Sequence, residues 1–118
     1  MNKDWVQTTK DLSSALKDLR GGAPAVMQGF SAIAQAALKT NALDTKTKEL
    51  IALAIGVATR CDGCIAFHAE AAVKQGASRE EVLETMGMAI YMGAGPSVMY
   101  AAQALEAFDQ FQDLKNSA

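Results

Sequence analysis

The sequence is poor in cysteine, proline, histidine and aromatic residues, and these shortages exclude several classes of protein. Its 118 residues include two cysteines, two prolines and one histidine, and 6% of the residues are aromatic. Small secreted domains often depend on several disulfides, which two cysteines cannot supply. Two cysteines three residues apart indicate redox or metal chemistry instead, and we therefore expect a cytoplasmic protein.

Strong charge of one sign and long apolar runs are also missing. The formal net charge is −2, and acidic and basic residues are scattered along the chain. Without a basic stripe that carries aromatic residues, we expect no nucleic-acid partner. No stretch reaches the roughly 20 consecutive apolar residues that a membrane-spanning helix requires, so we expect no membrane partner either.

The residues that are abundant favour a helical domain. Half of the residues are apolar, which is enough to build a core in a chain of this length. Branched aliphatic residues never alternate with polar residues over the length of a strand, so we expect an all-α fold. We expect about six helices, over residues 9–20, 24–39, 45–59, 61–76, 78–92 and 96–111.

Start and stop signals set these expected boundaries. Pro24 and Pro96 suit the first positions of the second and sixth helices. Asp44 can cap the third helix, which is apolar on almost every side and should therefore be central and buried. Ser78 and Glu81 form a capping-box pattern for the fifth helix. A pair of glycines before Pro96 should break the chain between the last two helices.

Two cysteines and the histidine share one face of the fourth expected helix. Cys61, Cys64 and His68 are spaced i, i+3 and i+7, which places them within a sector of about 60°. The cysteines lie in the first helical turn, where free amide groups and the helix dipole favour a thiolate. His68, one turn beyond Cys64, can accept a thiol proton and return it to a leaving group. This pattern indicates a thiol-redox site.

Glu49 is the carboxylate on the inward face of the third expected helix. If the third and fourth helices pack antiparallel, Glu49 comes within about one turn of His68, and Gly56 comes level with Cys64. Glu49 would then orient the imidazole and stabilise its charged form. The alternative is that Glu49 is a carboxylate favoured by the helix dipole, or one that pairs with a surface lysine such as Lys46 or Lys48.

The possible metal ligands and the methionines are two further groups of residues in the sequence. Two cysteines, one histidine and Glu49 count to four ligands, but structural zinc prefers a second cysteine or histidine pair. We therefore expect neither a metal nor a cofactor. The methionines near the end of the chain fit core packing or the wall of an apolar pocket better than a metal site. These residues are Met86, Met88, Met92 and Met99.

The run from Glu49 to Ala54, followed by the run from Cys61 to His68, resembles the core motif of the AhpD-like superfamily, also called the carboxymuconolactone decarboxylase family. A glutamate twelve residues before C-x-x-C and a histidine four residues after it is a specific pattern. The resemblance covers roughly residues 29–108. We therefore expect one domain over residues 1–118, with its core at about 29–108.

This resemblance implies an activity and an assembly. Members with both cysteines are peroxidases or disulfide reductases that act on small hydroperoxides or other small molecules and are reduced by a partner dithiol protein. By the same resemblance, Cys64 meets the peroxide, Cys61 resolves it, and Glu49 and His68 form a proton relay. The family assembles into trimers or hexamers. This sequence departs from the best-known peroxidase branch at Gly63, where that branch has a second histidine.

Two other functions stay open from the sequence. One is a lyase of the carboxymuconolactone decarboxylase type that acts on a small lactone acid, with His68 and Glu49 as acid and base. True lactone decarboxylases of the family lack the cysteine pair, which argues against this function. The other is a redox-sensing oligomer without catalytic turnover. A homo-oligomer is also expected because six helices of this composition carry more apolar surface than one small core hides.

Overall fold

The computed structural model describes residues 3–118 and is built from five helices over that range. They are α1 (Trp5–Gly22), α2 (Pro24–Leu38), α3 (Thr45–Ala58), α4 (Asp62–Lys74) and α5 (Arg79–Asn116). No residue between 3 and 118 lies in a strand, so the all-α prediction is confirmed. Within the same residues, none of the helices combines the length and the apolar character needed to cross a membrane.

Caps and turn residues set most helix ends where the sequence predicted them. Asp44 caps α3 through its side chain, and Ser78 and Glu81 form a complete capping box at the start of α5. Pro24 occupies the first turn of α2. Gly76, after α4, has a φ of 78°, a left-handed conformation that glycine adopts without a steric penalty.

The structure has five helices rather than the expected six, because the segments expected at 78–92 and 96–111 belong to one element, α5. Within α5, two helical segments meet at a kink at Ala94, whose φ of 55° is not helical. Pro96 lacks an amide hydrogen, and a proline is accommodated where the preceding turn is already broken. Ser97 occupies the space beside Gly93, so that a side chain at Gly93 would overlap it. The break expected at the glycines before Pro96 is therefore present as a kink within α5.

The first helix also differs from the expectation, since it begins at Trp5 and includes both residues of the Gly21-Gly22 pair. Asp4 caps it by accepting a hydrogen bond of 3.0 Å from the amide of Gln7. Trp5 is only 1% exposed, and burial of this large side chain fixes the first turn of the helix. The early start of α1 therefore follows from a contact distant in sequence.

The core lies between α3, α4 and α5, with α1 packed against α4 and α5. This arrangement agrees with the prediction that the third helix is central. α2 contributes no buried residue. The largest fully buried side chains belong to the four other helices and are Trp5, Leu53, Val57, Ile65, Val82 and Phe108.

Core packing is correct for Met86, which is 4% exposed, and wrong for three other methionines. Met88, Met92 and Met99 are 60%, 77% and 63% exposed, because they lie on a side of α5 that no element of the described chain covers. Large apolar side chains of α2 are exposed as well. We call these residues the exposed apolar surface: Val26, Phe30, Ile33, Met88, Tyr91, Met92 and Met99.

Candidate functional site

The two cysteines lie at the amino-terminal end of α4. Cys61 is the N-cap residue of the helix, and its sulfur accepts a hydrogen bond of 3.2 Å from the amide of Cys64. The two residues form a disulfide, with their Cα atoms 5.2 Å apart. Both are half-buried. In the reduced protein, the amide groups at the start of α4, including that of Cys64, favour a negatively charged sulfur at this position.

Glu49 and His68 are directly hydrogen-bonded across the α3–α4 interface. The distance between His68 Nδ1 and Glu49 Oε1 is 2.7 Å. An ionised carboxylate only accepts hydrogen bonds, so Nδ1 carries the hydrogen and Nε2 is left to exchange a proton. The side chain of Glu49 is 7% exposed and that of His68 is 31% exposed. The acid is therefore enclosed, while the imidazole can reach solvent.

The surface ion pair considered for Glu49 is not formed. Lys46 Nζ binds Glu81 Oε2 at 2.8 Å, which links the starts of α3 and α5. The hydrogen bond from Lys46 holds the pKa of the Glu81 carboxyl below its ordinary value. Lys48 Nζ donates to the backbone oxygen of Lys39 at 2.6 Å. Neither lysine therefore pairs with Glu49, whose hydrogen-bond partner is His68.

A close approach of α3 and α4 aligns the site. The chain reverses through Arg60, which has a φ of 57°, and the amide of Cys61 donates to the carbonyl of Gly56 at 3.0 Å. A Cβ atom on Gly56 would lie 3.1 Å from the Cβ of Cys64, a distance tighter than normal packing. Glycine at this position therefore permits the contact, as the antiparallel alignment predicted.

Sequence reasoning missed the residues that contact the segment between the cysteines. Lys3 Nζ lies 3.1 Å from Asp62 Oδ2, in an ion pair that joins residues far apart in the chain. Leu12 of α1 packs against Gly63, where a Cβ atom would lie 3.0 Å from Leu12 Cδ1. Local spacing carries no signal for either contact. A lone acidic residue inside C-x-x-C was the one available hint.

Among residues 3–118, no three histidine, cysteine, aspartate or glutamate side chains converge in an arrangement that could hold a metal ion. The candidate site consists of two cysteine sulfurs at a helix start, an imidazole one turn further along, and a buried carboxylate bonded to that imidazole. This arrangement can move protons and exchange thiol and disulfide states.

The fold and the site define a class of small all-helical proteins with a cysteine pair beside a histidine–carboxylate pair. Sequence comparison gives the class its name: the chain belongs to the carboxymuconolactone decarboxylase family, which matches residues 24–107. The match includes α2, α3, α4 and most of α5, and α1 lies outside it.

Three related proteins illustrate the range of similarity. A carboxymuconolactone decarboxylase family protein from Legionella pneumophila, solved in its apo form, is 57% identical, with a TM-score of 0.90 over 92% of this chain and 96% of that one. A family protein from Thermotoga maritima, described as having a suggested role in the antioxidative response, is 28% identical, with a TM-score of 0.73 over 80% of this chain and 97% of that one. An uncharacterised protein from Haemophilus influenzae is 44% identical over 92% of this chain and 96% of its own length.

Replacing Gly56 with alanine should destabilise the protein. Alanine gains up to about 1 kcal/mol of helix propensity over glycine, but its Cβ would press against Cys64 and force α3 and α4 apart. We expect a lower melting temperature, measured by circular dichroism. Gly21→Ala is the matched control, since nothing lies within 4 Å of a Cβ at that position of α1. A Gly56→Ala protein as stable as the Gly21→Ala protein would contradict the close approach.

Proposed function

We propose that the protein is a thiol-dependent antioxidant enzyme that reduces hydroperoxides through the Cys61–Cys64 dithiol. The observation that carries the proposal is the combination of this cysteine pair with a histidine one turn away that is itself bonded to a buried carboxylate. The Thermotoga maritima relative supports the antioxidant direction by its description. Structural disulfides need no proton-transfer pair beside them, whereas thiol catalysis benefits from one.

In the first step, the Cys64 thiolate attacks the distal oxygen of the hydroperoxide. The O–O bond breaks, the alcohol leaves with a proton from His68, and Cys64 becomes a sulfenic acid. The negative charge of Glu49 stabilises the protonated imidazole before this transfer. The Nδ1–H bond to Glu49 also fixes the ring, so that Nε2 serves as the proton-exchanging atom.

In the second step, the Cys61 sulfur attacks the sulfenic sulfur of Cys64. The disulfide forms and one water molecule leaves, so two thiols have supplied the two electrons and two protons that convert a hydroperoxide to alcohol and water. A partner dithiol protein then reopens the disulfide by two exchange steps and becomes a disulfide itself. Because the cysteines are only 5.2 Å apart at Cα, the cycle needs no large movement of the backbone.

The reaction class is tested by mixing the reduced protein with hydrogen peroxide or an alkyl hydroperoxide in a stopped-flow instrument. We expect consumption of one equivalent of peroxide per chain, with loss of two mass units as the disulfide forms. Cys64→Ser should abolish this consumption, and Cys61→Ser should stop at a sulfenic acid that a dimedone probe traps. Peroxide consumption that survives Cys64→Ser would overturn the assignment.

The lyase alternative, unlike the peroxidase proposal, does not require the cysteines. A lactone acid decarboxylase that uses His68 and Glu49 as acid and base would keep its activity in a Cys61→Ser/Cys64→Ser protein. Release of carbon dioxide from a muconolactone-type acid by that double variant, without any reaction of the wild type with peroxide, would favour the lyase. The family name motivates this comparison, because it refers to that reaction.

Glu49→Gln should slow oxidation of the dithiol by at least about tenfold, equivalent to roughly 1.4 kcal/mol of transition-state stabilisation. The amide retains size and hydrogen bonding but removes the charge that supports protonated His68. His68→Gln should be similarly slow, and the double variant little slower than either, because residues that act as one unit are not additive. Glu70→Gln removes a charge from the helix that carries His68 and should leave the rate unchanged. If the dithiol of Glu49→Gln is oxidised at the wild-type rate across neutral pH, the role of Glu49 is structural.

We also propose that the chain assembles into trimers or hexamers through the exposed apolar surface. Val26, Phe30 and Ile33 on α2 are 71%, 62% and 67% exposed, and Tyr91 and Met92 on α5 are 79% and 77% exposed. Apolar side chains clustered in this way on single helices are typical of surfaces that a partner covers. In a homo-oligomer, a second copy of the same chain covers them.

Light scattering after size-exclusion chromatography should therefore give a mass of three or six chains at micromolar concentration. Ile33→Glu should shift the population to smaller species, because it would bury a charge in the contact. Gln35→Glu adds the same charge to another side of α2 and should leave the mass unchanged. A monomeric wild-type protein would refute the assembly.

A further inference from the structure

The N-terminal segment contacts both residues that separate the cysteines. Lys3 forms its ion pair with Asp62, and Leu12 packs on Gly63. Asp62 is the first residue of α4, directly after the Cys61 cap. Residues 3–22 precede residues 24–107, the region that the family model matches.

The ammonium group of Lys3 is held by more than the ion pair. Its Nζ also donates to Gln103 Oε1 at 2.6 Å, and it lies 5.2 Å from the centre of the Trp5 ring. The backbone oxygen of Lys3 accepts a bond of 2.7 Å from Gln110 Nε2. A lysine restrained at both its backbone and its head group loses much of the freedom that makes surface ion pairs weak.

Trp5 anchors this arrangement to α5. Its amide donates to Gln110 Oε1 at 2.7 Å, and its indole Nε1 donates to Glu106 Oε1 at 2.9 Å. With 1% of its surface exposed, the ring is part of the core. The position of the Lys3 backbone is therefore set by a buried aromatic residue rather than by the ion pair.

The negative charge of Asp62 has two opposing effects at the start of α4. Its carboxylate is favourable at a helix amino terminus, but a negative charge beside the cysteines disfavours a thiolate on either sulfur. A cation held against Asp62 offsets that repulsion while the carboxylate remains. Other ionisable groups on the elements packed around this turn include Arg60, Glu49, His68 and Glu106, and also Lys10 and Asp11 on α1. Glu49 and His68 pair with each other, and Glu106 binds Trp5.

We infer that Lys3 is a positioning residue for the dithiol: by neutralising Asp62, it favours the thiolate of the reduced Cys61–Cys64 pair and makes the disulfide easier to reduce. The inference rests on the proposed function only in taking the cysteine pair to cycle between dithiol and disulfide. It requires no particular oxidant. Stabilising the thiolate stabilises the reduced state, so the reduction potential rises.

The test measures thiol pKa and reduction potential on the full-length protein without any peroxide. Alkylation by iodoacetamide as a function of pH gives the pKa of the reactive thiol. Equilibration with dithiothreitol at defined ratios of its dithiol and disulfide forms gives the potential, as two electrons and two protons pass from the reagent to open the S–S bond. The ratio of the two protein forms is read by mass spectrometry after alkylation.

Lys3→Met should raise the thiol pKa and lower the alkylation rate at neutral pH about two- to threefold, a modest effect because the ion pair is half-exposed. A two- to threefold change in the equilibrium corresponds to a potential about 9–14 mV more negative. Asp62→Asn should shift both quantities in the opposite direction. Lys3→Met/Asp62→Asn should return close to the wild type, because it restores the net charge at the turn.

Two controls separate charge from structure. Lys17→Met removes the same charge from a position within α1 and should change neither quantity, whereas Lys3→Arg should retain wild-type values. High salt should reduce the effect of Lys3→Met. If Lys3→Met fails to fold, Lys3→Gln replaces it, and the same upward shift in thiol pKa is expected.

Equal thiol pKa values and potentials in Lys3→Met and Lys17→Met would overturn the inference. The inference would also be overturned if the thiol pKa and the potential of the double variant differed from wild type as much as those of Lys3→Met. The change would then come from a moved backbone rather than from charge. Failure of the proposed function looks different. In that case the Lys3 effect on the thiols is present, but peroxide is not consumed.

Discussion

The close packing of α3 against α4 is the constraint on which the site depends. It requires a residue without a side chain at Gly56, because the Cβ of Cys64 already occupies the space beside it. It also requires a tight reversal, which Arg60 provides in a left-handed conformation. Once the helices lie side by side, Glu49 reaches His68 across the interface. A glycine, a turn and a packed cysteine thus determine where an acid and an imidazole meet.

The Glu49–His68 pair satisfies a need of the fold as well as of the chemistry. A carboxylate with 7% of its side chain exposed loses its hydration and must find a donor inside the protein. His68 is that donor, and its own partial exposure keeps one face of the ring accessible. The same bond therefore stabilises the buried acid and prepares the imidazole to exchange protons beside the cysteines. Such double use is typical of a site placed on helices that form the core.

The sequence predicted those features that arise from local patterns. Helix caps such as Asp44 and the Ser78–Glu81 box involve neighbouring residues, so their signals lie within one turn. The meeting of Glu49 with His68 was predictable because one short turn separates the two helices, and counting along antiparallel axes suffices. The catalytic roles assigned to these residues stay predictions.

The features that sequence reasoning missed depend on contacts between distant residues. Trp5 is bonded to Glu106 and Gln110, about a hundred positions away, and no periodic pattern reports such a pairing. The positive φ at the kink within α5 falls on Ala94 rather than on a neighbouring glycine, which local propensity does not favour. The exposure of Met92 depends on which side of α5 the rest of the chain leaves uncovered. Each of these required the assembled fold.

Trp5 is the one tryptophan of the chain, and it is sealed between α1 and α5 with its indole N–H bonded to a carboxylate. Intrinsic fluorescence excited at the indole band therefore originates from a single point, the junction that holds the N-terminal segment against α5. The emission of an enclosed, hydrogen-bonded indole differs from that of a solvated one. The fluorescence of Trp5 therefore reports whether the N-terminal segment is packed against α5. No label has to be attached near the cysteines for this measurement.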